Sequence, residues 1–486
     1  MKKYLYGASV QGIQNFIFQT NKLKDIIGAS ELVKNICDRM FKKEFLASGT
    51  LVVSAAGNVK CIYDQEAECR NAVLRFPKRV MEQAPGVTIS QAVVEWDGSE
   101  STFRDASNNL EKRLHAQRSK RPKNLVAGLM AMERSRTTGL PAVETDGKNG
   151  FLDECTRSKR KVLGDKNEAQ LHLCSEFFGR QTCAREVAFD FTDLTRHNEW
   201  IAIVHADGNA LGEVVARKNG TPAGLRDFSL TLDSATKTAA QQTCRFLKEQ
   251  KGVDAVKTIR PIILGGDDLT IVCSADIAVD FVQEYLRQFE AESERQIGGK
   301  LTACAGIAFI KATYPFHYGY ALAETLCAKA KADAKSETVI AQNGGKVPSC
   351  LMFHKVQSSF VEDFADIEEK ELIPHDGHSY CYGPYYLYPQ AERLTIGSLL
   401  QYTAEISRED CNNVKTAIRR WLTDMATDVN LAEQKRQRAL SLFTDKQKTQ
   451  KALYDAATKS VGRGDRLFHL AYDLLALNTV KQQCTK

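Results

Sequence analysis

The stretch TIRPIILGGDDLTIVC, residues 258–273, decides the fold. Apolar, β-branched runs on both sides of Gly265-Gly266-Asp267-Asp268 predict a tight hairpin with adjacent carboxylates at its tip. Such a turn needs positive φ, which glycine adopts at little cost, and bare backbone at 265 and 266 leaves room for a nucleotide. Working outward, IAIVHADGN (201–209) reads as a strand ending at Asp207, inside the motif ADGNALG (206–212). A helical pattern covers 228–250. DIAVDFVQEYLRQFEAE (276–292) is amphipathic, with Ile277, Phe281, Val282, Tyr285 and Phe289 on one face. LTACAGIAFI (301–310) closes the set as a strand. The order is β-α-β-β-α-β, the ferredoxin-like arrangement, whose first strand lies beside the central hairpin.

The same order occupies the first hundred residues. YLYGAS (4–9) is a strand, and a helix over 21–42 carries Leu23, Ile26, Ile27, Leu32, Val33 and Ile36 at three- and four-residue steps. LVVSAAGNVKCIY (51–63) is a hairpin, 65–83 a helix and VTISQAVVEW (87–96) a strand. The two hairpins align without gaps, Ala55-Ala56-Gly57-Asn58 falling at Gly265-Gly266-Asp267-Asp268, and Gly7, five residues before Gly12, falls where Asp207 stands five before Gly212. All three acidic positions stand in the second copy and none in the first. The fold class expected is α+β: two ferredoxin-like (βαββαβ) domains, at 1–100 and 196–350. A polar region at 101–195 separates them, and a linker with a C-terminal helical bundle spans 351–486.

Asp207, Asp267 and Asp268 suit nucleotidyl transfer, where charge must be neutralised and the attacking and leaving oxygens aligned. Two Mg²⁺ or Mn²⁺ ions perform both tasks and prefer carboxylate oxygens. The carbonyl of Gly208 or Ala206 can complete a coordination sphere. The helix expected from Phe316 adds Lys331 and Lys335 one turn apart, with Lys329 on another face. One of them can serve as a point charge for a triphosphate, although on these residues alone an ordinary complement to the helix C-terminus is the better reading.

Composition bounds the alternatives. With 43% hydrophobic and 26% charged residues in 486, the chain is globular, and no apolar run is long enough to span a bilayer. The opening MKKYLYGASVQG lacks the apolar stretch of a signal peptide, so a cytoplasmic protein is expected. The net charge of +6 permits nucleotide or RNA binding without requiring it. The 14 cysteines form no C-x-x-C pair and read as reduced thiols.

The opening GASVQGIQNFIFQTNKLKDIIGASELV (7–33), together with the GGDD hairpin, resembles the large subunit of type III CRISPR effector complexes, the CRISPR polymerase family. The resemblance covers both palms and their order. It implies synthesis of a cyclic oligonucleotide, usually cyclic oligoadenylate, from ATP, with Asp207, Asp267 and Asp268 holding two ions. It implies a triphosphate contact for Lys331, nucleotide binding near Gly208, Asn209, Gly212, Gly265 and Gly266, and an acceptor nucleotide near Gln11, Gln14 and Ser30. Guide or target RNA and smaller CRISPR subunits are the partners it suggests. The chain departs from the family at Asn209, where an Asp is common. It also begins directly with the palm instead of an HD nuclease domain. Its one His-Asp pair, His375-Asp376, has no companion cluster, so no DNase activity is expected. Cys155, Cys174 and Cys183, with His172, are too irregularly spaced for the family's zinc ribbon, and free thiols are expected.

Two basic stretches, KRLHAQRSKRPKN (112–124) and TRSKRK (156–161), suit either an RNA backbone or a solvated surface. The tyrosine-rich IPHDGHSYCYGPYYLYP (373–389) reads as a packed loop more than a stacking platform. After Arg393 the chain is helix-forming throughout. An RNA-binding scaffold subunit with little catalysis is the second reading, favoured by Asn209 and opposed by the intact acidic set. A symmetric diguanylate-cyclase-like dimer is the third, opposed by the unequal repeat.

Overall fold

The structure is a computed structural model describing residues 2–46, 49–55, 57–120, 131–147, 150–164, 169–196, 198–209, 211–218, 220–358, 363–375 and 377–482. The first βαββαβ set comprises β1 (Lys3–Gln11), α1 (Leu23–Asn35), β2 (Thr50–Ala55), β3 (Asn58–Tyr63), α2 (Glu66–Gln83) and β4 (Thr88–Trp96). Helices α3 (Phe103–Arg118), α4 (Glu154–Lys161) and α5 (His172–Phe178) follow. The second set is β5 (Trp200–Gly208), α6 (Pro222–Lys251), β6 (Ile259–Gly265), β7 (Asp268–Ser274), α7 (Ala278–Ile297) and β8 (Ala303–Lys311). Then come α8 (Phe316–Ala334), β9 (Cys350–Lys355) and β10 (Tyr385–Tyr386). Five longer helices end the chain: α9 (Ile396–Ile406), α10 (Asn412–Thr427), α11 (Val429–Leu442), α12 (Lys448–Thr458) and α13 (Ala471–Lys481).

The strand orders are β2-β3-β1-β4 and β10-β9-β8-β5-β7-β6. In each set the fourth strand lies beside the first, the first beside the third and the third beside the second. This is the ferredoxin-like order expected from the sequence. The second sheet is longer because β9 adds parallel to β8 and β10 adds antiparallel to β9.

By compactness the chain forms two units. The first comprises Met1–Asp193, Ala210–Ile271 and Gln288–Leu301. Its sheet buries Leu5, Val52, Val94 and Trp96 against Phe103 and Leu110 of α3 and Leu225 of α6. Tyr6, Phe41, Phe45 and Phe76 form an aromatic cluster beneath α2, with Phe41 and Phe76 edge to face at 5.0 Å. Helix α2 supplies Cys69, Ala72, Phe76 and Val80 to the core at helical spacing. The helix expected over 21–42 is interrupted: α1 ends at Asn35 and a π-helical turn spans Ile36–Met40.

The basic stretch 156–161 is largely packed, with only Arg157 and Lys161 exposed. Lys159 is 1% exposed, its ammonium donating to the Phe16 carbonyl at 2.6 Å and lying 4.3 Å from the Phe16 ring centroid. Arg160 holds the buried Asp25 at 2.7 Å, and Arg157 pairs with Glu154. The stretch packs on α1 at Gly28, where an added Cβ would lie 1.9 Å from the Lys159 carbonyl oxygen. In the other basic stretch, residues 121–124 lie outside the described residues. Its described part sits on α3, where Arg113 donates to the Val93 carbonyl and Arg118 to the Ser9 hydroxyl.

The second unit comprises Leu194–Asn209, Val272–Arg287 and Thr302–Lys486. Strand β8 pairs antiparallel with β5 from Ala303↔Gly208 to Lys311↔Trp200. Helix α8 covers these strands so closely that a Cβ at Gly306 would lie 2.0 Å from the Ala323 carbonyl oxygen. The tyrosine-rich loop is packed: Tyr380, Tyr382, Tyr385 and Tyr386 are buried. Asp376 lies outside the described residues. The Tyr385 hydroxyl donates to Asp473 of α13 at 2.6 Å. The C-terminal region is helical, as expected, and no helix among the described residues is long and apolar enough to cross a membrane.

Burial pushes the Asp473 carboxyl up to about 7, against the hydrogen bond from Tyr385. Because the folded value lies above that of an unfolded carboxyl, the associated stability is complete near pH 4 and is lost as pH rises through 7. Asp473→Asn keeps an acceptor for Tyr385 and is expected to flatten the fall in melting temperature between pH 5 and 8. The effect at the alkaline end is on the order of a few kcal/mol. Thermal unfolding of both proteins across that range checks it, and parallel curves would contradict it.

Candidate functional site

Strand β5 ends at Gly208, opposite Ala303, with Asp207 opposite Cys304. The Asp207 carboxylate is half-buried and accepts from the Lys331 ammonium of α8 at 2.5 Å. Lys331 reaches it because α8 is seated on β8 at Gly306. Burial works against the lysine charge, but the hydrogen bond and charge of Asp207 outweigh it and hold the Lys331 pKa above its ordinary value. His205, two residues earlier, is pushed down by burial although Asp207 opposes the shift. Lys329 instead pairs with Glu368, and Lys335 caps the helix end.

Asn209 is 3% exposed and turned into the strand pairing. Its backbone N–H donates to the Thr302 carbonyl at 2.8 Å and its side-chain amide to the Thr302 hydroxyl at 3.0 Å. Its amide oxygen accepts from the Cys304 thiol. An aspartate there would lack the side-chain N–H that donates to the Thr302 hydroxyl. Gly212 is exposed, and an added Cβ there would meet nothing within 4 Å.

The hairpin between β6 and β7 has φ +63° at Gly266, where an added Cβ would meet nothing within 4 Å. Its carbonyl accepts from the Thr236 hydroxyl of α6 at 2.5 Å. The next residue of α6, Lys237, pairs with Glu176 of α5 at 3.0 Å, and Glu176 pairs with Lys34 of α1 at 2.9 Å. Lys34 also holds Asp38 at 2.6 Å. Burial opposes its charge, yet the two carboxylates raise its pKa well above the ordinary lysine value.

Within the first unit these elements enclose a cavity of about 320 Å³. Gln14, Ser30, Lys34 and Asp38 come from the first palm, and Gly265 and Asp268 from the hairpin. The sequence-selected Gln14, Ser30, Gly265 and Asp268 are therefore brought to one space. Gln11 is not among the lining residues, and its amide donates to the Ser9 carbonyl. Lys34, four residues after Ser30 on one helix face, was missed, although that spacing was a usable signal. Leu173, contributed by α5, had no sequence signal at all. Behind the cavity, burial pushes the Glu31 carboxyl up to about 7, while the N–H groups of Leu173 and His172 that it accepts pull the other way.

The equivalence of Gly7 with Asp207 is corrected by strand register. Strand β1 ends at Gln11 opposite Thr88, the first residue of β4, as β5 ends at Gly208 opposite Ala303, the first residue of β8. Counting back one residue puts Val10 at the place of Asp207. Gly7 is bare because α3 crosses it: an added Cβ would lie 2.8 Å from Leu110. Val10 donates its backbone N–H to the Gly57 carbonyl at the first hairpin. Ala56 lies outside the described residues. The first palm thus has an apolar side chain where the second has the strand-end acid.

The donor chemistry of Asp207, Asp267 and Asp268 fits a hard divalent cation. Among the described residues no three His, Cys, Asp or Glu side chains are gathered around a metal position, and the Lys331 ammonium neutralises Asp207 instead. Cys155 and Cys174 are buried free thiols, Cys183 is a half-buried one, and His172 lies against Arg39.

Residues 200–339 match the family described as Cas10/Cmr2, second palm domain. Among solved structures, the chain is similar to a Csm1–Csm4 cassette in complex with cA4, at 14% identity and a TM-score of 0.60. That match covers 100% of this chain and 70% of the other. It is similar to a cassette in complex with AMPPNP at 13% identity and a TM-score of 0.55, covering 99% and 70%. For a cassette in complex with one ATP the values are 16%, 0.50, 99% and 70%. No curated protein matches. In its fold and its second palm, the chain is like a Cas10 large subunit.

Proposed function

We propose that this Cas10-like chain joins nucleoside triphosphates, ATP foremost, into a cyclic oligonucleotide. The observation that carries the reading is the cavity in which Gln14 and Ser30 of the first palm face Gly265 and Asp268 of the hairpin. Its volume of about 320 Å³ suits a nucleotide-sized ligand. Relatives of the same fold in complex with AMPPNP and cA4 support the substrate class.

Asp207, Asp267 and Asp268 would hold two Mg²⁺ or Mn²⁺ ions, which supply charge neutralisation at the reacting phosphate. The chain's own residues bind and orient. Gly266 exposes bare backbone to the phosphates, and Gln14 and Ser30 offer hydrogen bonds to the acceptor nucleotide. Lys331, released from Asp207, becomes a cation for the triphosphate. A 3′-hydroxyl then attacks the α-phosphate, the bond to pyrophosphate breaks, and closure of the chain on itself yields the ring. Smaller CRISPR subunits and RNA are the proposed partners, and the cytoplasm is the proposed compartment.

The test is incubation with each NTP and Mg²⁺ or Mn²⁺, with and without RNA, and identification of products by mass spectrometry. Cyclic products support the reading, whereas no product under any condition, or linear products alone, overturns it. Lys331→Met is expected to lower kcat/KM by roughly 30-fold, from about 2 kcal/mol for a charged hydrogen bond. Steady-state kinetics at varied ATP check this, and wild-type values would remove Lys331 from the site.

A further inference from the structure

The second palm has a cation-lined cavity at the end of its sheet opposite Asp207. Trp200 opens β5, Lys311 closes β8 opposite it, and Lys355 closes β9. Asp207 stands seven residues along β5, roughly 23 Å away at the rise of a strand. Trp200, Lys311, Thr313, Tyr314, Lys355 and Gln357 line a space of about 350 Å³.

Lys355 is the unusual group. Its ammonium lies 4.5 Å from the Trp200 ring centroid, and among the described residues it has no carboxylate partner. Burial pushes its pKa down, and the neighbouring Lys311 charge pushes it further the same way. Among the described residues Lys311 pairs only with Glu199, at 3.1 Å, where the carboxylate side chain is 75% exposed and contributes little. The half-buried Lys355 therefore meets the exposed Lys311 beside one weakly held acid. An anion entering the cavity would relieve both the desolvation and the repulsion. Trp200 and Tyr314 add aromatic walls to the same cavity. Phosphate flanked by accessible aromatic rings is the chemistry of a nucleotide unit.

We propose that this cavity is a second, non-catalytic site that holds the phosphate of a nucleotide unit, either free or within a single RNA strand. The site is independent of the carboxylates of the GGDD hairpin. Its contribution is an anchor at the far end of the palm.

The test uses the full chain carrying Asp267→Ala and Asp268→Ala, in metal-free buffer, with a fluorescein-labelled oligouridylate of about ten nucleotides. Adding Lys311→Met and Lys355→Met preserves the stems packed on Trp200. It is expected to weaken binding by about tenfold, and to reduce the dependence of log K on log salt by about 1.4 for two lost strand contacts. Lys355→Arg, which keeps the charge, should retain binding within about threefold, and equal melting temperatures establish folding. AMP that competes with the oligomer identifies a site open to free nucleotides, while competition only by RNA identifies a strand site. Unchanged affinity in the lysine variant overturns the proposal, as does displacement of the oligomer by polyglutamate in preference to AMP or unlabelled RNA. Cyclic-product formation by Lys311→Met/Lys355→Met with the hairpin acids intact should match the unsubstituted chain, so a failed proposed function and a failed anchor give separate results.

Discussion

Replacing Asp267 and Asp268 together by alanine is expected to reduce cyclic-product formation by about 10³-fold or more. Metal-assisted charge neutralisation is worth several kcal/mol, and each 1.36 kcal/mol is a factor of ten in rate. The cost in stability should be small. Both residues are half-buried at a turn whose shape depends on positive φ at Gly266 and on Thr236 holding the Gly266 carbonyl. The pair of measurements is product yield by mass spectrometry and melting temperature. Unreduced yield in a folded variant would mean that the chemistry lies elsewhere. Asp207 is a poorer first choice for the experiment. Its removal also strands the half-buried Lys331, so that lost activity and lost packing would be confounded.

Gly306→Ala is expected to be the most damaging single methyl in the second palm. The added carbon would lie 2.0 Å from the Ala323 carbonyl oxygen and 2.5 Å from the Cys327 nitrogen, both backbone atoms of α8 that no rotamer change can move. Overpacking of this kind costs about 3 kcal/mol, roughly 6–12 °C in melting temperature for a unit of this size. The displaced helix carries Lys331, so the ion pair with Asp207 should loosen as well. Gly299→Ala, with nothing within 4 Å of the new methyl, is the control and should change little. Equal melting temperatures for the two variants would show that α8 can lift from the sheet without cost.

Much of this architecture was legible in the sequence, for reasons of local chemistry. The hairpin around Gly265–Asp268 announces itself by apolar, β-branched runs on either side of a Gly-Gly-Asp-Asp turn, and the two strand orders follow from βαββαβ connectivity. Helix α8 begins at Phe316 as its composition implies. Register was less legible. Gly7 and Asp207 share a five-residue spacing to Gly12 and Gly212, but Gly7 answers to Leu110 of a helix a hundred residues away, which local pattern does not contain. Charge was misleading for a similar reason. TRSKRK looks solvated until α1 supplies Asp25 to pair Arg160, and the turn before it supplies the Phe16 carbonyl over which Lys159 is buried. Of the candidate site, the acids and glycines were visible as a motif. Lys34, Asp38 and Leu173 reach the cavity through tertiary packing.

Adjacent residues of α6 serve two masters: Thr236 holds the hairpin carbonyl, and Lys237 holds the ion-pair chain through Glu176 to Lys34 on the cavity wall. The portable part of this palm is accordingly larger than four residues. Transplanting Gly265-Gly266-Asp267-Asp268 into the bare first hairpin would move the acids and leave behind the hydroxyl that sets their turn. A chimera built to reuse this site in another scaffold should carry the hairpin and α6 as one cassette, with an acidic residue waiting for Lys237.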